Sequence, residues 1–354
     1  MLRVAINGFG RIGRAVFRIN EERQAFKVVA INDIQPNIRN HAYLMQFDSM
    51  YGRFTGSIRA DETDSSIYVN DQVVRFYSYS DISKIPWHND EIDVIIDSSG
   101  SSENLMLSHQ IIESGSVSHI VVTNAPKKAV DKTIVFGVNE SSFNYDEDRL
   151  VASSICDVNA IAPVLKLLDE YYGVREGFIT ILHPWLSYQN LLDGLASSVS
   201  SSVHPWDDFS LARASTTNLI PKNTTLVPAL EEIIPKITPC LEAMSFRVPT
   251  AIVSAADITL RLNHHTNIQE LHDLFQLQAF NQDSIFGFAD NQQVSIDFAG
   301  TKQSVHVDPR WVKVSQENSI KLVLWYDNEW GYGHRVVDLV QLIGNQKNLR
   351  KELS

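Results

Sequence analysis

The sequence is poor in cysteine and lacks long apolar runs. Only two cysteines, Cys156 and Cys240, occur among 354 residues, which is too few for a disulfide framework and forms no zinc-binding pattern. We therefore expect no metal site, and a reducing compartment such as the cytoplasm fits best. No apolar run approaches the roughly 18 residues that a membrane helix needs, so no membrane association is expected.

Positive charge is also scarce. The sequence has 30 Lys and Arg against 42 Asp and Glu, a net charge of -12 that is spread without acidic blocks. This balance argues against nucleic-acid binding and against anionic membranes. The N-terminus opens on the strand-like run LRVAIN, so the sequence predicts no signal peptide. The length exceeds what one hydrophobic core usually serves, which predicts two domains.

The first 150 residues alternate between strand and helix patterns. The run RVAIN is continuously apolar, a glycine-rich turn follows, and apolar residues then recur at roughly helical spacing before a second strand, KVVAINDI. Strand, helix and strand over about 30 residues form a βαβ unit with parallel strands. The segments IDVIIDSSG and HIVVTNAP repeat the pattern. This part predicts an α/β fold of the Rossmann, doubly wound type.

After Pro163 the pattern changes to β-rich and alternating runs, namely GFITILH, EAMSFRVP, IVSAADITLRL and SIKLVLWYD. These runs predict an α+β catalytic domain with a mostly antiparallel sheet. The last segment, Gly331 to Leu349, predicts a helix with the apolar stripe Val336, Val337, Leu339, Val340 and Leu342. The predicted domains are residues 1–155 with 329–354, binding a dinucleotide, and residues 156–328, binding the substrate.

A dinucleotide site is predicted at the first turn. Gly8, Gly10 and Gly13 form G-x-G-x-x-G between a strand and a helix, and Asp33 follows about 20 residues later. The glycines allow backbone N–H groups to approach a pyrophosphate at a helix N-terminus. A carboxylate at Asp33 can accept hydrogen bonds from ribose hydroxyls and repels a 2′-phosphate, which favours NAD over NADP. The alternative is a tight βα turn with no ligand.

Cys156 is the candidate nucleophile. It precedes a run with the helical stripe Ile161, Val164, Leu165 and Leu168 and the helix-stop signal Gly173. At a helix N-terminus the dipole lowers the pKa of a thiol. His183 follows the strand GFITIL, 27 positions later, and can act as acid or base. In the alternative interpretation Cys156 is a small hydrophobe and His183 a structural histidine. Cys240 is predicted to be structural.

Five stretches carry a resemblance to a known family: INGFGRIGR, FDSMYGRF, CDVNAIAP, FRVPT and WYDNEWGYGHRVVDL. They are similar to the glyceraldehyde-3-phosphate dehydrogenase family, including its erythrose-4-phosphate dehydrogenase branch, and the similarity runs from Leu2 to about Leu342. It implies a homotetrameric, NAD-dependent aldehyde dehydrogenase. In this family a thiolate attacks an aldehyde, the hemithioacetal gives a hydride to NAD, and phosphate or water releases the thioester.

The resemblance also implies roles for individual residues. Cys156 matches the nucleophile and His183 the base, at the family's own spacing. Arg247 matches an arginine shared by the anion sites. Asn328 matches the asparagine that holds the nicotinamide carboxamide, and Tyr332 matches a ring packed near the nicotinamide. The cofactor loop and the ribose carboxylate correspond to Gly8, Phe9, Gly10, Arg11, Ile12, Gly13 and Asp33.

The sequence departs from the family around the phosphate sites. The pattern Ser-Cys-Thr-Thr-Asn reads Ile155-Cys156-Asp157-Val158-Asn159 here, so a carboxylate replaces a hydroxyl that normally meets inorganic phosphate. At about 4–6 Å it would repel an oxyanion by several kcal/mol. After His183, the threonine and aspartate that help to hold the substrate phosphate correspond to Leu186 and Tyr188. The nearby Thr-Gly reads Thr224-Thr225, which together with Asp157 and Arg247 we predict to contact substrate.

These changes spare the predicted nucleophile, base and cofactor residues. The resemblance therefore implies NAD-dependent oxidation of a small aldehyde, of the sugar-phosphate class, through a Cys156 thioester, with phosphate attack impaired or retained. Asp157 is expected to raise the pKa of the thiol by like-charge repulsion. It is also a candidate to bind a hydroxyl or amine of the substrate or to position a water. The alternative is a catalytically silent, NAD-binding regulatory or scaffold protein.

Overall fold

The computed structural model describes residues 1–70, 72–126, 129–195, 209–289 and 291–353, with side chains to residue 350. The serine-rich stretch Ser197 to Val203, for which the sequence predicts an exposed loop, lies outside the described residues. Among the described residues, no helix combines the length and the apolar character that crossing a membrane requires.

The described helices are spread along the whole chain. They are α1 (Arg11–Arg23), α2 (Ile38–Gln46), α3 (Ser102–Glu113), α4 (Cys156–Tyr172), α5 (Leu226–Leu230), α6 (Ile268–Asn281) and α7 (Trp330–Leu353). The last helix covers the predicted Gly331 to Leu349. Four of its five predicted apolar residues are buried, but Leu342 is only half-buried and Ile343 takes its place in the core.

The chain forms two compact units. The first comprises Met1–Ile134, Glu140–Ser154 and Gly333–Ser354, and the second comprises Val135–Asn139 and Ile155–Tyr332. The sequence places the divisions at 155/156 and 328/329, whereas the units divide after Ser154 and inside α7, before Gly333. The short segment Val135–Asn139 joins the second unit.

The first unit is built on a nine-stranded sheet with the order β10-β11-β9-β8-β1-β2-β7-β6-β5. Its strands are β1 (Arg3–Asn7), β2 (Lys27–Asn32), β5 (Ile58–Asp61), β6 (Ser66–Val69), β7 (Gln72–Tyr77), β8 (Val94–Asp97), β9 (His119–Val122), β10 (Lys132–Thr133) and β11 (Leu150–Ala152), and a separate pair is formed by β3 (Phe47–Asp48) and β4 (Gly52–Arg53). All pairings from β10 to β7 are parallel, while β5, β6 and β7 pair antiparallel.

The continuous apolar runs of the sequence correspond to parallel strands of the first sheet. β1, β8 and β9 are buried almost along their whole length, as expected for strands of a parallel sheet whose two faces are both covered. The strand order reverses at β1, whose neighbours are β2 and β8. In open α/β sheets the crevice at such a reversal, beyond the carboxyl ends of the strands, is where ligands bind. The predicted Rossmann, doubly wound fold is confirmed.

The second unit is built on an eight-stranded sheet with the order β13-β14-β12-β15-β19-β17-β16, and β18 also pairs with β19. Its strands are β12 (Val174–Pro184), β13 (Ile220–Lys222), β14 (Leu241–Val248), β15 (Ser254–Leu262), β16 (Phe286–Phe288), β17 (Val305–Val307), β18 (Lys313–Ser315) and β19 (Ser319–Tyr326). Among the strands that the structure describes in this sheet, only the β12–β14 and β16–β17 pairs are parallel, so the predicted mostly antiparallel sheet is confirmed.

The second sheet has one buried and one more exposed face. Along β12 and β14 the odd-numbered residues are mostly buried and the even-numbered ones are mostly exposed or half-buried, as the two-residue repeat of a strand requires. His183 and Arg247 are direct partners in the β12–β14 register, and both are buried. The alternation therefore places an imidazole and a guanidinium side by side on the buried face.

Candidate active site

Cys156 is the first residue of α4, as predicted. The preceding Ile155 is extended and its side chain cannot accept a hydrogen bond, so the helix has no side-chain N-cap. Ser154 has φ of 59°, a left-handed conformation that is uncommon for serine and often found beside functional residues. The predicted stripe is fully buried, and α4 ends at Gly173, whose φ is 69°. Burial of that stripe fixes α4, whose first residue is Cys156, in the core of the second unit.

The structure brings His183 to the sulfur. His183 is the penultimate residue of β12, and its Nε2 lies 3.9 Å from Sγ of Cys156. Its Nδ1 lies 2.8 Å from the carbonyl oxygen of Pro184. A carbonyl oxygen only accepts hydrogen bonds, so Nδ1 must carry a proton. The neutral ring is then the tautomer with its proton on Nδ1, and Nε2 presents its lone pair to the sulfur. A base needs this tautomer.

The surroundings of this pair favour the uncharged form of both groups. Burial, and next the negative charge of Asp157, raise the pKa of the Cys156 thiol well above its ordinary value, and the positive charge of Arg247 opposes them only in part. Cys156 is of intermediate exposure, but its neighbours Asp157 and His183 are buried. The predicted lowering of the thiol pKa by the helix dipole is therefore wrong in net direction, whereas the predicted upward effect of Asp157 is confirmed.

His183 is shifted in the opposite sense. Burial lowers its pKa to about 4, the positive charge of Arg247 adds to the lowering, and Asp157 opposes it. The desolvated ring favours the neutral form because a buried imidazolium loses its hydration. Cys156 and His183 therefore face each other as thiol and imidazole. The proton of the thiol must be transferred during the reaction itself.

Asp157 is held by Tyr326, a residue that no sequence pattern indicated. The hydroxyl of Tyr326, at the end of β19, donates a hydrogen bond of 2.7 Å to Oδ1 of Asp157. The same oxygen lies 3.6 Å from the sulfur of Cys156. Asp157 is buried and Tyr326 is almost completely so. No local pattern links residues 169 positions apart, and only the pairing of β19 beside β15 and β12 brings the phenol to α4.

Two cations lie close to this group. The charge of Arg247 acts on both Cys156 and His183, and that of Lys222, the last residue of β13, also lowers the pKa of His183. Arg247 is buried, and its Nε donates to no described residue. Such a donor fits an anionic ligand. The sequence predicted Arg247 but not Lys222, because the three-residue strand β13 is too short to reveal its register.

The two predicted threonines lie between β13 and α5. The Oγ1 atom of Thr224 accepts a hydrogen bond of 3.1 Å from the N–H of Leu226, which begins α5. Thr225 is the N-cap residue of that helix and is exposed. The hydroxyl of Thr224 thus has a local structural partner. Substrate contact by either residue stays a prediction.

Asn328 and Tyr332 lie in the same unit as Cys156, between the end of β19 and the first turn of α7. Both are buried. The Oδ1 atom of Asn328 accepts no hydrogen bond from the described residues. An unpartnered buried acceptor carries a desolvation cost that a ligand N–H would remove. A carboxamide is a ligand with such an N–H, so Asn328 fits its predicted role.

The glycine-rich turn in the first unit has the geometry of a dinucleotide loop. Gly8 has φ of 85°, and a Cβ there would lie 2.5 Å from the backbone nitrogen of Ser99, so no side chain fits. A Cβ on Gly13 would lie 2.3 Å from the carbonyl oxygen of Gly8, which explains the close packing of α1. A Cβ on Gly10 would meet nothing within 4 Å. Gly10 is exposed and is the N-cap of α1, so it leaves the helix N-terminus open to a phosphate.

Asp33 follows directly after β2, where a ribose-binding carboxylate is expected. Its Oδ2 accepts a hydrogen bond of 2.7 Å from the N–H of Phe9, and its Oδ1 accepts one of 2.9 Å from the N–H of Gln35. The carboxylate is thereby fixed against the glycine turn. Phe9 is fully buried, so it contributes its backbone and packing and not an exposed ring.

Arg11 and Ile12 begin α1 and are both half-buried. The guanidinium of Arg11 forms an ion pair of 2.5 Å with Asp48 and lies over the ring of Tyr51. These contacts fix Arg11 beside the turn. The residues of this unit therefore fit NAD: an open helix N-terminus for the pyrophosphate and an anchored carboxylate for the ribose.

Cys240, for which the sequence predicts a structural role, ends a short 3₁₀ turn immediately before β14 and is exposed. It is not part of the group formed by Cys156, Asp157 and His183. It offers an internal reference thiol in the same chain.

In a comparison with known proteins, each of the two units matches a family model. Residues 2–105 match the family model described as glyceraldehyde 3-phosphate dehydrogenase, NAD binding domain. Residues 155–328 match the model of its C-terminal domain. Glyceraldehyde-3-phosphate dehydrogenase 3 of Saccharomyces cerevisiae is 35% identical over 344 residues, which cover 96% of this chain and 98% of the yeast protein. Glyceraldehyde-3-phosphate dehydrogenase 1 of Bacillus cereus is 32% identical, with coverage of 96% and 97%.

A chloroplastic glyceraldehyde-3-phosphate dehydrogenase of Arabidopsis thaliana is 34% identical over 96% of this chain and 77% of its own length. Together with the fold, these matches define an NAD-dependent oxidoreductase that acts on an aldehyde. More narrowly, the chain belongs to the glyceraldehyde-3-phosphate dehydrogenase family.

Proposed function

We propose that this protein oxidises a small sugar-phosphate aldehyde with NAD through a thioester on Cys156. The observation that carries the proposal is the approach of Nε2 of His183 to within 3.9 Å of Sγ of Cys156, with the ring tautomer fixed by the carbonyl of Pro184. A nucleophile, a base and a group that orients the base form the usual arrangement of covalent catalysis.

His183 is the base of the first step. As the sulfur of Cys156 attacks the carbonyl carbon, the S–H proton moves to Nε2, the S–C bond forms, and the π electrons of the C=O bond move onto the oxygen. The proton then passes from Nε2 to that oxygen, which completes the hemithioacetal, and Nε2 can accept it again when the hydride leaves. A ring with a pKa of about 4 and a thiol with a raised pKa disfavour a resting ion pair. Proton transfer therefore accompanies attack, as general base catalysis requires.

NAD is the cofactor of this family, and bound NAD supplies the acceptor for the hydride that leaves the hemithioacetal. Gly8, Gly10 and Gly13 would hold its pyrophosphate at the start of α1, flanked by Phe9, Arg11 and Ile12. Asp33 would accept hydrogen bonds from the ribose hydroxyls and disfavour NADP. Asn328 would accept a hydrogen bond from the carboxamide, and Tyr332 would pack near the ring.

The substrate class follows from the charges around the sulfur. Arg247 and Lys222 act on His183 from two neighbouring strands, and the unpartnered Nε of Arg247 can donate to an anion. A phosphorylated aldehyde fits these cations. Thr224 and Thr225 lie just beyond Lys222 and are further candidates for contact with the substrate.

Release of the thioester is where this chain departs from its family. Asp157, 3.6 Å from the sulfur, would repel an attacking phosphate dianion but can accept a proton or hydrogen bond from water. We therefore infer that phosphate attack is impaired. Water then adds to the thioester carbon, the C–S bond breaks, and the products are a carboxylic acid and the free thiol.

Homotetramer formation is part of the proposal. It is supported by large apolar side chains on the exposed face of the second sheet, namely Phe178 and Leu182 on β12 and Met244 on β14. Neighbouring exposed apolar side chains of this size mark association surfaces. Light scattering should give four times the chain mass of 39.9 kDa. A cytoplasmic location is proposed from the two free cysteines.

The proposal is tested by NADH absorbance with a panel of phosphorylated and unphosphorylated aldehydes, each with and without inorganic phosphate. We expect aldehyde-dependent NADH formation, a preference for phosphorylated aldehydes, and little dependence on phosphate. A strict phosphate requirement would overturn the hydrolytic release. Binding of NAD without NADH formation from any aldehyde would overturn the dehydrogenase and favour the silent, NAD-binding alternative.

A further inference from the structure

Three metal-ligating atoms converge at the start of α4. Sγ of Cys156, a carboxylate oxygen of Asp157 and Nε2 of His183 all lie within 4.8 Å of one another. The sulfur is 3.6 Å from Oδ1 of Asp157 and 3.9 Å from Nε2 of His183. Around a tetrahedral Zn²⁺ with ordinary bond lengths, neighbouring ligand atoms are about 3.5 Å apart. The first distance already fits, and the second needs to shorten by a few tenths of an ångström.

Two of the three ligands are oriented by outer hydrogen bonds. Nδ1 of His183 bonds to the carbonyl oxygen of Pro184 at 2.8 Å, which leaves Nε2 free to bind a cation. Tyr326 donates to Oδ1 of Asp157 at 2.7 Å. Metal-bound histidines usually donate their other ring N–H to a carbonyl or carboxylate, and ligating carboxylates are themselves hydrogen-bonded. Both arrangements are in place without any rotamer change.

The donor set and its charge select the metal. A thiolate, a carboxylate and a neutral imidazole balance a divalent cation, and the mixture of S, O and N donors suits Zn²⁺ better than Mg²⁺ or Ca²⁺. The nearby charge of Arg247 opposes a cation, so binding is expected to be reversible. Three protein ligands leave one position open to water.

We propose that Cys156, Asp157 and His183 form an inhibitory Zn²⁺ site. On binding, the S–H proton is released to solvent and an S–Zn bond forms, with no change in oxidation state. The metal then occupies both the sulfur lone pair and the Nε2 lone pair that attack on an aldehyde requires. Metal occupancy switches the enzyme off, and a chelator restores it. Inhibition rests on the proposed role of Cys156, but metal binding does not.

Binding is measured with Co²⁺ and Zn²⁺ on the purified full-length chain, without aldehyde or NAD. We expect one Co²⁺ per chain, with a sulfur-to-cobalt charge-transfer band and the visible bands of a tetrahedral site, both removed by Zn²⁺. Cys156→Ser should lose the charge-transfer band. Asp157→Asn, which keeps the shape of the side chain, should weaken Zn²⁺ binding by at least about tenfold. Tyr326→Phe should weaken it by about tenfold.

Cys240→Ser is the matched control, because it removes the other, exposed thiol and should leave binding unchanged. The proposal is overturned if no charge-transfer band forms, if the band disappears in Cys240→Ser, or if Zn²⁺ affinity is the same in Asp157→Asn as in the parent. None of those results would overturn the proposed dehydrogenase function, because the metal-free enzyme could still make NADH. Equally, a chain that binds Zn²⁺ through these residues but makes no NADH would overturn the proposed function alone.

Discussion

Tyr326 donates a hydrogen bond to the same carboxylate oxygen of Asp157 that lies 3.6 Å from the sulfur of Cys156. Phenol, carboxylate and thiol thus form one buried chain of polar groups. Burial and then the charge of Asp157 raise the pKa of both Tyr326 and Cys156. The resting nucleophile is therefore a thiol whose deprotonation is opposed by its own neighbour.

Replacing Asp157 with Asn removes the negative charge and keeps an oxygen that can accept from Tyr326. The pKa of Cys156 should fall, because one of the two main causes of its elevation is gone. A fall of one unit raises the thiolate fraction at pH 7 by about tenfold. Iodoacetamide labelling of Cys156, followed by mass spectrometry, should accelerate accordingly, with Cys240 as the internal reference. Unchanged or slower labelling would contradict this electrostatic effect.

Tyr326→Phe leaves the buried carboxylate of Asp157 without its phenolic donor. We expect the free energy of unfolding to fall by about 1.5–3 kcal/mol, the usual cost of losing a hydrogen bond to a buried charged group. Tyr68 is a matched control, because its hydroxyl bonds to Asp64 at the same 2.7 Å but in an exposed setting. Urea denaturation should show less than about 0.5 kcal/mol for Tyr68→Phe. Equal losses for the two variants would argue against a special role of burial.

The glycine turn allows ligand contact to be separated from folding. Gly10→Ala places its Cβ in open space at φ of -75°, so the loss of stability should be limited to about 1 kcal/mol, the cost of alanine in place of glycine at an N-cap. The added methyl lies where a pyrophosphate would approach, and NAD affinity should fall by about tenfold, measured by calorimetry. Gly8→Ala, at φ of 85° and 2.5 Å from backbone, should instead destabilise the fold. Normal NAD binding by folded Gly10→Ala would count against the predicted cofactor loop.

The buried histidines predict a dependence of stability on pH. Burial lowers the pKa of His119, His183 and His306 to about 4. In the unfolded chain histidine binds its proton near pH 6.5, so unfolding takes up protons between about pH 6.5 and 4. The free energy of unfolding should therefore decrease as the pH is lowered through that window. At pH 5 each ring should have cost about 2 kcal/mol relative to neutral pH. Urea denaturation at pH 7 and pH 5 checks this, and equal stability at both would contradict the buried, neutral state.

Much of the framework could be predicted because it depends on local patterns. The apolar stripe of α4 and its stop at Gly173 place Cys156 at a helix start, and the continuous apolar strands identify the parallel sheet. The prediction was wrong at the end of the α7 stripe, where Ile343 and not Leu342 is buried, because the two residues are adjacent and both apolar. The antiparallel strands β5 and β6 extend the first sheet without a comparable sequence signal.

The chemistry of the site was less predictable because it depends on long-range contacts. The helix position of Cys156 predicts a lowered pKa, but burial and then the charge of Asp157 raise it. Tyr326 and Lys222 reach the site through strand register, which a single sequence does not reveal. The exposure of Cys240 likewise depends on where a short turn leaves the sheet. Asp157 was identified because it differs in charge from the residue that the family resemblance leads one to expect.

The most direct test is to trap the acyl group on the enzyme. The purified protein is mixed with NAD and an aldehyde that gives NADH, quenched in acid within one turnover, and analysed by intact-mass and peptide mass spectrometry. We expect an acyl adduct on Cys156 that is absent in Cys156→Ser and retained in Cys240→Ser. We also expect Cys156→Ser to lose NADH formation by at least about 10³-fold. NADH formation at the parental rate by Cys156→Ser, or an adduct located elsewhere, would contradict covalent catalysis by Cys156.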